Sequence, residues 1–204
     1  MGKPLTYPIP RITGMRTLAD MALDGADHRY WYVTAREQIG LAAQILAREG
    51  HSATPDRLCE LLALFSPRVS VLRSSRFMLH YIRTRGYMPD VMRTVRASVE
   101  HWRITGEIRG PKTRPFADAL KGDGSALVLD VWMGEALGVD PKRWEVRAVW
   151  DAGAKRIRQT ARYLNWPVAE TQAAIWAATV LRQPYGNVPA FNLIAELTAS
   201  DIPI

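Results

Sequence analysis

Cysteine is nearly absent. Cys59 stands alone, so no disulfide can form within the chain and no four-cysteine metal or iron–sulfur site can be assembled from it. A single thiol suits a reducing cytoplasm. No apolar run approaches the roughly 20 residues of a membrane span, so a soluble protein without a membrane partner is expected. Met1–Pro10 lacks the apolar stretch of a signal peptide; with one lysine and three prolines it reads as an extended arm reaching to about residue 15. Histidine is sparse too. His28, His51, His80 and His101 share no metal-ligand spacing, and no Walker loop, dinucleotide-binding glycine fingerprint or serine elbow occurs, so neither metal nor cofactor is expected.

Acidic residues are outnumbered. Twenty Asp and Glu face 27 Lys and Arg, a net charge of +7, and arginine supplies most of the surplus. Its planar fork of donors matches phosphate oxygens, so a polyanionic partner is one reading of the charge and an ordinary solvated surface the other.

Helical periodicity dominates the 204 residues, and 48% of them are hydrophobic, enough for a sizeable core. Trp31, Ala35, Ile39, Ala42, Ile45 and Leu46 recur at steps of three and four, which predicts a helix over 28–49, with Asp27 as N-cap and Gly50 as stop. Thr54-Pro55 opens a leucine-rich helix to Phe65, ended by Ser66-Pro67. Further helices are expected over 69–84, from Pro89 to about Trp102, and over 112–121 after a turn-like stretch containing Gly106, Gly110 and Pro111. Ala126–Leu129 reads equally as a short strand or a buried helix start. A helix ending at Gly138, a long one from Asp140-Pro141 to about Leu164, one opened by Pro167 and a short last one complete the chain. Roughly ten helices on short connections imply an all-α fold.

The segments Leu61–Arg68 and Gly110–Thr113 with Leu127–Trp132 resemble the helix-hairpin-helix DNA glycosylase superfamily, in its endonuclease III-like branch. Leu61-Leu62-Ala63-Leu64-Phe65-Ser66-Pro67-Arg68 is similar to the family's L-L-S-x-Q helix and turn. Gly110-Pro111-Lys112-Thr113, followed by Leu127-Val128-Leu129-Asp130-Val131-Trp132, is similar to its G-x-K-T hairpin and V-D-T-H region, and 18 residues separate Lys112 from Asp130. The match covers about Leu58 to Leu137. Trp31-Tyr32-Val33-Thr34-Ala35 and Gln172 to Trp176 resemble the opening and closing motifs of small phage-associated relatives.

The resemblance implies a two-lobed helical domain. Residues of about 58–137 would form the helix-hairpin-helix lobe and the N- and C-terminal helices the other, with an extruded base taken into a cleft. It puts Asp130 in the place of the carboxylate that stabilises positive charge on the sugar, and Lys112 in that of a Schiff-base nucleophile. It puts Arg68 where a side chain fills the gap left by the base. Arg73, Arg76, Arg109, Gly110 and Arg114 would meet the DNA backbone. Trp31, Tyr32, Trp132, Gln172 and Trp176 would line the base pocket, where stacking and amide hydrogen bonds read a base.

Each residue has a plainer role open to it. Asp130 also fits an N-cap, Lys112 a solvated first-turn lysine, and Arg68 a capping or ion-pairing residue. Gln172 and Trp176 fit helix packing with one polar rim residue. The sets Arg73, Arg76, Arg83 and Arg156, Arg158, Arg162 fit a solvated face as well as a phosphate grip. The family hairpin L-P-G-V-G is Gly106-Glu107-Ile108-Arg109-Gly110 here, and only Gly110 matches. Three functions follow. The first is a DNA glycosylase-like enzyme, the second a phage-type transferase that hypermodifies thymine, and the third a non-catalytic DNA-binding protein.

Overall fold

A computed structural model describes residues 9–199 of the chain. The expected extended arm therefore lies largely outside the described residues; within them, Met15 already begins the first helix. Among the described residues, ten α-helices and two short 3-10 turns make up the regular structure and no strand occurs. The protein is all-α.

The chain divides into two compact units, each built from separated stretches of sequence. Among the described residues, the first joins 9–29 to Leu127–Asn187 and the second joins Tyr30–Ala126 to 188–199.

In the first unit, α1 (Met15–Asp24), α7 (Val131–Leu137), α8 (Arg147–Leu164) and α9 (Val168–Leu181) surround one core. α9 packs against the other three. Apart from Glu170 and Gln172 its residues are apolar or small on every side, and a helix that is nearly apolar all round is enclosed. Leu18, Ala22, Met133, Leu137, Val149, Ile157, Ala174 and Ile175 fill the centre. Gly25, just past α1, allows the close approach to α9: a Cβ there would stand 2.1 Å from the Ala174 carbonyl oxygen.

In the second unit, α3 (Pro55–Phe65) is the hub. It packs against α2 (Trp31–Arg48), α4 (Val71–Arg83), α5 (Arg93–Thr105) and α6 (Thr113–Leu120). Leu58, Leu61 and Leu62 are wholly buried, each contributing about 1.5–3 kcal/mol of transfer free energy. The Thr54 hydroxyl caps α3 by accepting from the Arg57 amide, with Pro55 in the first turn. α10 (Leu193–Thr198) lies on α2 and α4. Arg76 Nε donates to Glu196 at 2.7 Å, and Arg83 donates to the Leu197 carbonyl at 2.8 Å.

Several expectations need correction. Asp27 does not cap α2: it sits in a 3-10 turn, Ala26–His28, and the helix starts at Trp31. Gly50, by contrast, adopts the left-handed conformation that closes this helix. Pro89 is buried ahead of α5, which starts at Arg93, runs past Trp102 and is stopped by left-handed Gly106. Asp140-Pro141 opens only a 3-10 turn, Pro141–Glu145, before α8 starts at Arg147. Ala126–Leu129 is neither strand nor helix: it is a buried stretch without regular structure.

Candidate functional site

Asp130 follows directly on the buried stretch Leu127-Val128-Leu129, shortly after the chain enters the first unit. Its backbone is extended, with φ −115° and ψ −167°, and its side chain caps α7. Oδ1 accepts from the amides of Trp132 and Met133, both at 3.1 Å. The Asp130 carbonyl oxygen accepts from the indole of Trp144 at 3.2 Å. Among the described residues Oδ2 accepts no bond, and Asp130 is half-buried. One carboxylate oxygen thus holds the helix while the other is left for a further partner.

Beside this cap, Val131, Trp132, Gly134, Glu135, Gly138, Val139 and Pro141 line an open hollow of about 370 Å³. Val131 and Glu135 are exposed and Trp132 is half-buried. The volume lies near the small end of ligand pockets, which enclose most of their ligand, whereas this hollow is open.

Support for Asp130 comes from Trp144, which is not among the candidates read from the sequence. Trp144 lies 14 positions on, in the 3-10 turn, and is buried at 9% exposure. Its ring rests on Gly153 of α8, where a Cβ would come within 3.1 Å of the indole. No local pattern pairs these residues; the fold of the unit brings them together.

Other candidates of the first unit lie on α9. Gln172 is buried at 3% exposure, and half-buried Trp176 packs against the core around Leu18 and Ile175. Four residues of spacing put them on one face, as expected.

The remaining candidates belong to the second unit. Trp31 and Tyr32 meet edge to face with ring centroids 5.2 Å apart. Both contact Phe116 of α6, and Trp31 also contacts Phe191 and donates its indole hydrogen to the Pro189 carbonyl at 3.1 Å. These two rings belong to an aromatic cluster of that unit. Lys112 occupies the cap position of α6 without making a side-chain cap, and is half-buried. Arg114 makes two hydrogen bonds, at 3.1 and 3.0 Å, with the Asp118 carboxylate. Arg109 lies 3.6 Å from Glu107. Gly110 has φ +114°, a conformation that favours glycine at this turn. Arg68 is exposed with φ +60°, unusual for a side chain of its size. Arg73 is exposed, with its guanidinium 5.2 Å from the Phe77 ring, and Arg76 is engaged by Glu196 as described.

Two groups offer little chemistry. The Cys59 thiol is pushed up to about 12 by burial, with nearby Asp56 adding to the shift, so it stays protonated and unreactive near neutrality. Glu60 accepts from the Trp102 indole at 2.8 Å and pairs with Lys121, ties that serve the interior of the second unit. Among the described residues, no three His, Cys, Asp or Glu come together as a metal site. No helix among them is long and apolar enough to cross a membrane.

The family model DUF7178, described as a family of unknown function, matches residues 12–184. The chain belongs to DUF7178. The DUF7178 match takes in all of α1 to α9, and with them Asp130, Trp144 and the hollow beside α7. No curated protein and no solved structure matches this DUF7178 chain.

Proposed function

We propose that this protein acts on DNA as a glycosylase-like enzyme, with Asp130 as the carboxylate at its reaction centre. The observation that carries the reading is the state of that side chain. Asp130 is clamped by two amides on Oδ1 and by an indole on its carbonyl oxygen, while Oδ2 has no partner among the described residues. A charge held this rigidly needs no reorganisation when positive charge develops nearby, which is how a fixed carboxylate lowers the barrier to breaking an N-glycosidic bond. In that reaction the bond between C1′ and the base nitrogen breaks, the base leaves with the bonding pair, and water adds its oxygen to C1′. Asp130 would stabilise the cationic sugar and accept the proton released by water. The net charge of +7 supports a polyanionic substrate.

The capping bonds also favour a second reading, a DNA-binding protein without catalysis, because a carboxylate that ties down a helix end already has a structural role. One experiment separates the two. The protein is incubated with duplexes carrying a range of modified bases; abasic sites are sought by alkaline cleavage and altered nucleosides by mass spectrometry. Released base supports the enzyme. Salt-sensitive binding with unchanged nucleosides supports the binder. A heavier nucleoside would replace bond cleavage with transfer to the base on the same scaffold.

A further inference from the structure

Three exposed cations stand together on α8. Lys155, Arg158 and Arg162 follow one another at steps of three and four, so they stand on one stripe, and all three are exposed. The opposite face, with Val149, Gly153, Ile157, Thr160 and Ala161, is buried in the core. Arg156, grouped with this stripe on sequence grounds, lies off it and is half-buried; Lys155 takes its place.

Some cations elsewhere are matched by a neighbouring acid, among them Arg114 by Asp118, Arg103 by Glu100, Arg76 by Glu196 and Arg182 by Asp24. On α8 the one acid, Asp151, is taken by Arg147 through two 3.0 Å hydrogen bonds. Among the described residues Lys155, Arg158 and Arg162 make no ion pair.

We infer that this face of α8 is a docking surface for the sugar–phosphate backbone of duplex DNA, an inference that rests on the DNA reading above and adds where the duplex is held. Lys155 and Arg162 are about 10 Å apart along the helix axis. A DNA strand adds a phosphate for each ~3.4 Å of its own axis, so one strand presents about four phosphates over that length, within reach of the three long cationic side chains. Tyr163, exposed beside Arg162, adds a hydroxyl of the kind that bonds phosphate or sugar. A protein partner fits less well. Protein interfaces are built on an apolar centre poor in lysine, and Tyr163 is the one large apolar side chain that α8 exposes.

The test is fluorescence anisotropy of a labelled DNA duplex titrated with the full chain over a series of salt concentrations. A variant carrying Lys155→Gln, Arg158→Gln and Arg162→Gln is compared with the parent, with Arg103→Gln as the control from an acid-paired site. The slope of log affinity against log salt is expected to shrink by about 2.7 in the triple variant and to stay unchanged in the control. Arg158→Lys with Arg162→Lys keeps the charges and is expected to keep the slope, whatever the triple change does to folding. A parent that binds duplex DNA and a triple variant with the parental slope overturn the α8 surface alone. A parent that binds no DNA, or binds structured RNA in its place, overturns the DNA reading and this surface with it.

Discussion

The indole nitrogen of Trp144 donates to the carbonyl oxygen of Asp130 across 3.2 Å, and the Asp130 side chain turns the other way to cap α7. The backbone of Asp130 is therefore held from the 3-10 turn and its carboxylate from the helix. Capping and catalysis make separate demands on that carboxylate. Asn caps a helix about as well as Asp but carries no charge. Asp130→Asn is expected to keep its urea midpoint while losing about 100-fold or more in base release. Asp130→Ala is expected to lose the same activity and about 1 kcal/mol of stability as well. Full turnover by Asp130→Asn would remove Asp130 from the reaction.

Trp144 also connects Asp130 to α8. Gly153 leaves room for the indole, and a Cβ there would lie 3.1 Å from two of its ring atoms. Gly153→Val is expected to push the ring out of place and to cost about 1–3 kcal/mol, read from chemical denaturation. Trp144→Phe keeps most of the bulk and loses the donor. It should cost about 1 kcal/mol and lower any Asp130-dependent activity. A Gly153→Val protein as stable and active as the parent would show that the contact is not needed.

Two glycines predict opposite outcomes for the same substitution. At Gly25 a Cβ would run into the Ala174 carbonyl, so Gly25→Ala should force α1 away from α9 and destabilise by several kcal/mol. At Gly40, within α2, an added Cβ meets nothing within 4 Å, and Gly40→Ala should stabilise by about 0.5–1 kcal/mol through helix propensity. Melting temperatures of the two variants, compared with the parent, decide it.

His80 should make stability depend on pH. It sits in the last turn of α4, its Nε2 is buried without a hydrogen-bond partner, and burial lowers its pKa from the ordinary 6.5. The unfolded chain takes up this proton below about 6.5 while the folded chain does not, so protonation favours unfolding. The stabilising contribution is whole above that pH and is lost as the pH falls below it. Urea midpoints measured across this range should fall toward acid, and His80→Gln should flatten that part of the profile. An unchanged profile in His80→Gln would sink the assignment.

Helix positions were largely legible in the sequence because the signals that set them are local. Thr54-Pro55 starts α3, Gly138 ends α7 and Pro167 precedes α9, each through the backbone geometry and capping of a few neighbouring residues. The errors came where two local signals competed. Asp27 looked like a cap, but the chain makes a 3-10 turn first; Pro141 looked like a helix start, but its turn ends at Val146 before α8 begins.

The sequence by itself determined the all-α class, the surplus of arginine and the single cysteine, since each depends on composition or on residues within a turn of one another, and it left Asp130 open between a cap and a catalyst. Only the tertiary structure decided which of those residues are already occupied. Arg76 meets Glu196 from 120 positions away, Trp144 reaches back to Asp130, and Lys155 replaces Arg156 on the open face of α8. Such pairings depend on which helix faces pack together, and that is settled by burying the apolar stripes of a whole unit, which no short stretch of sequence contains.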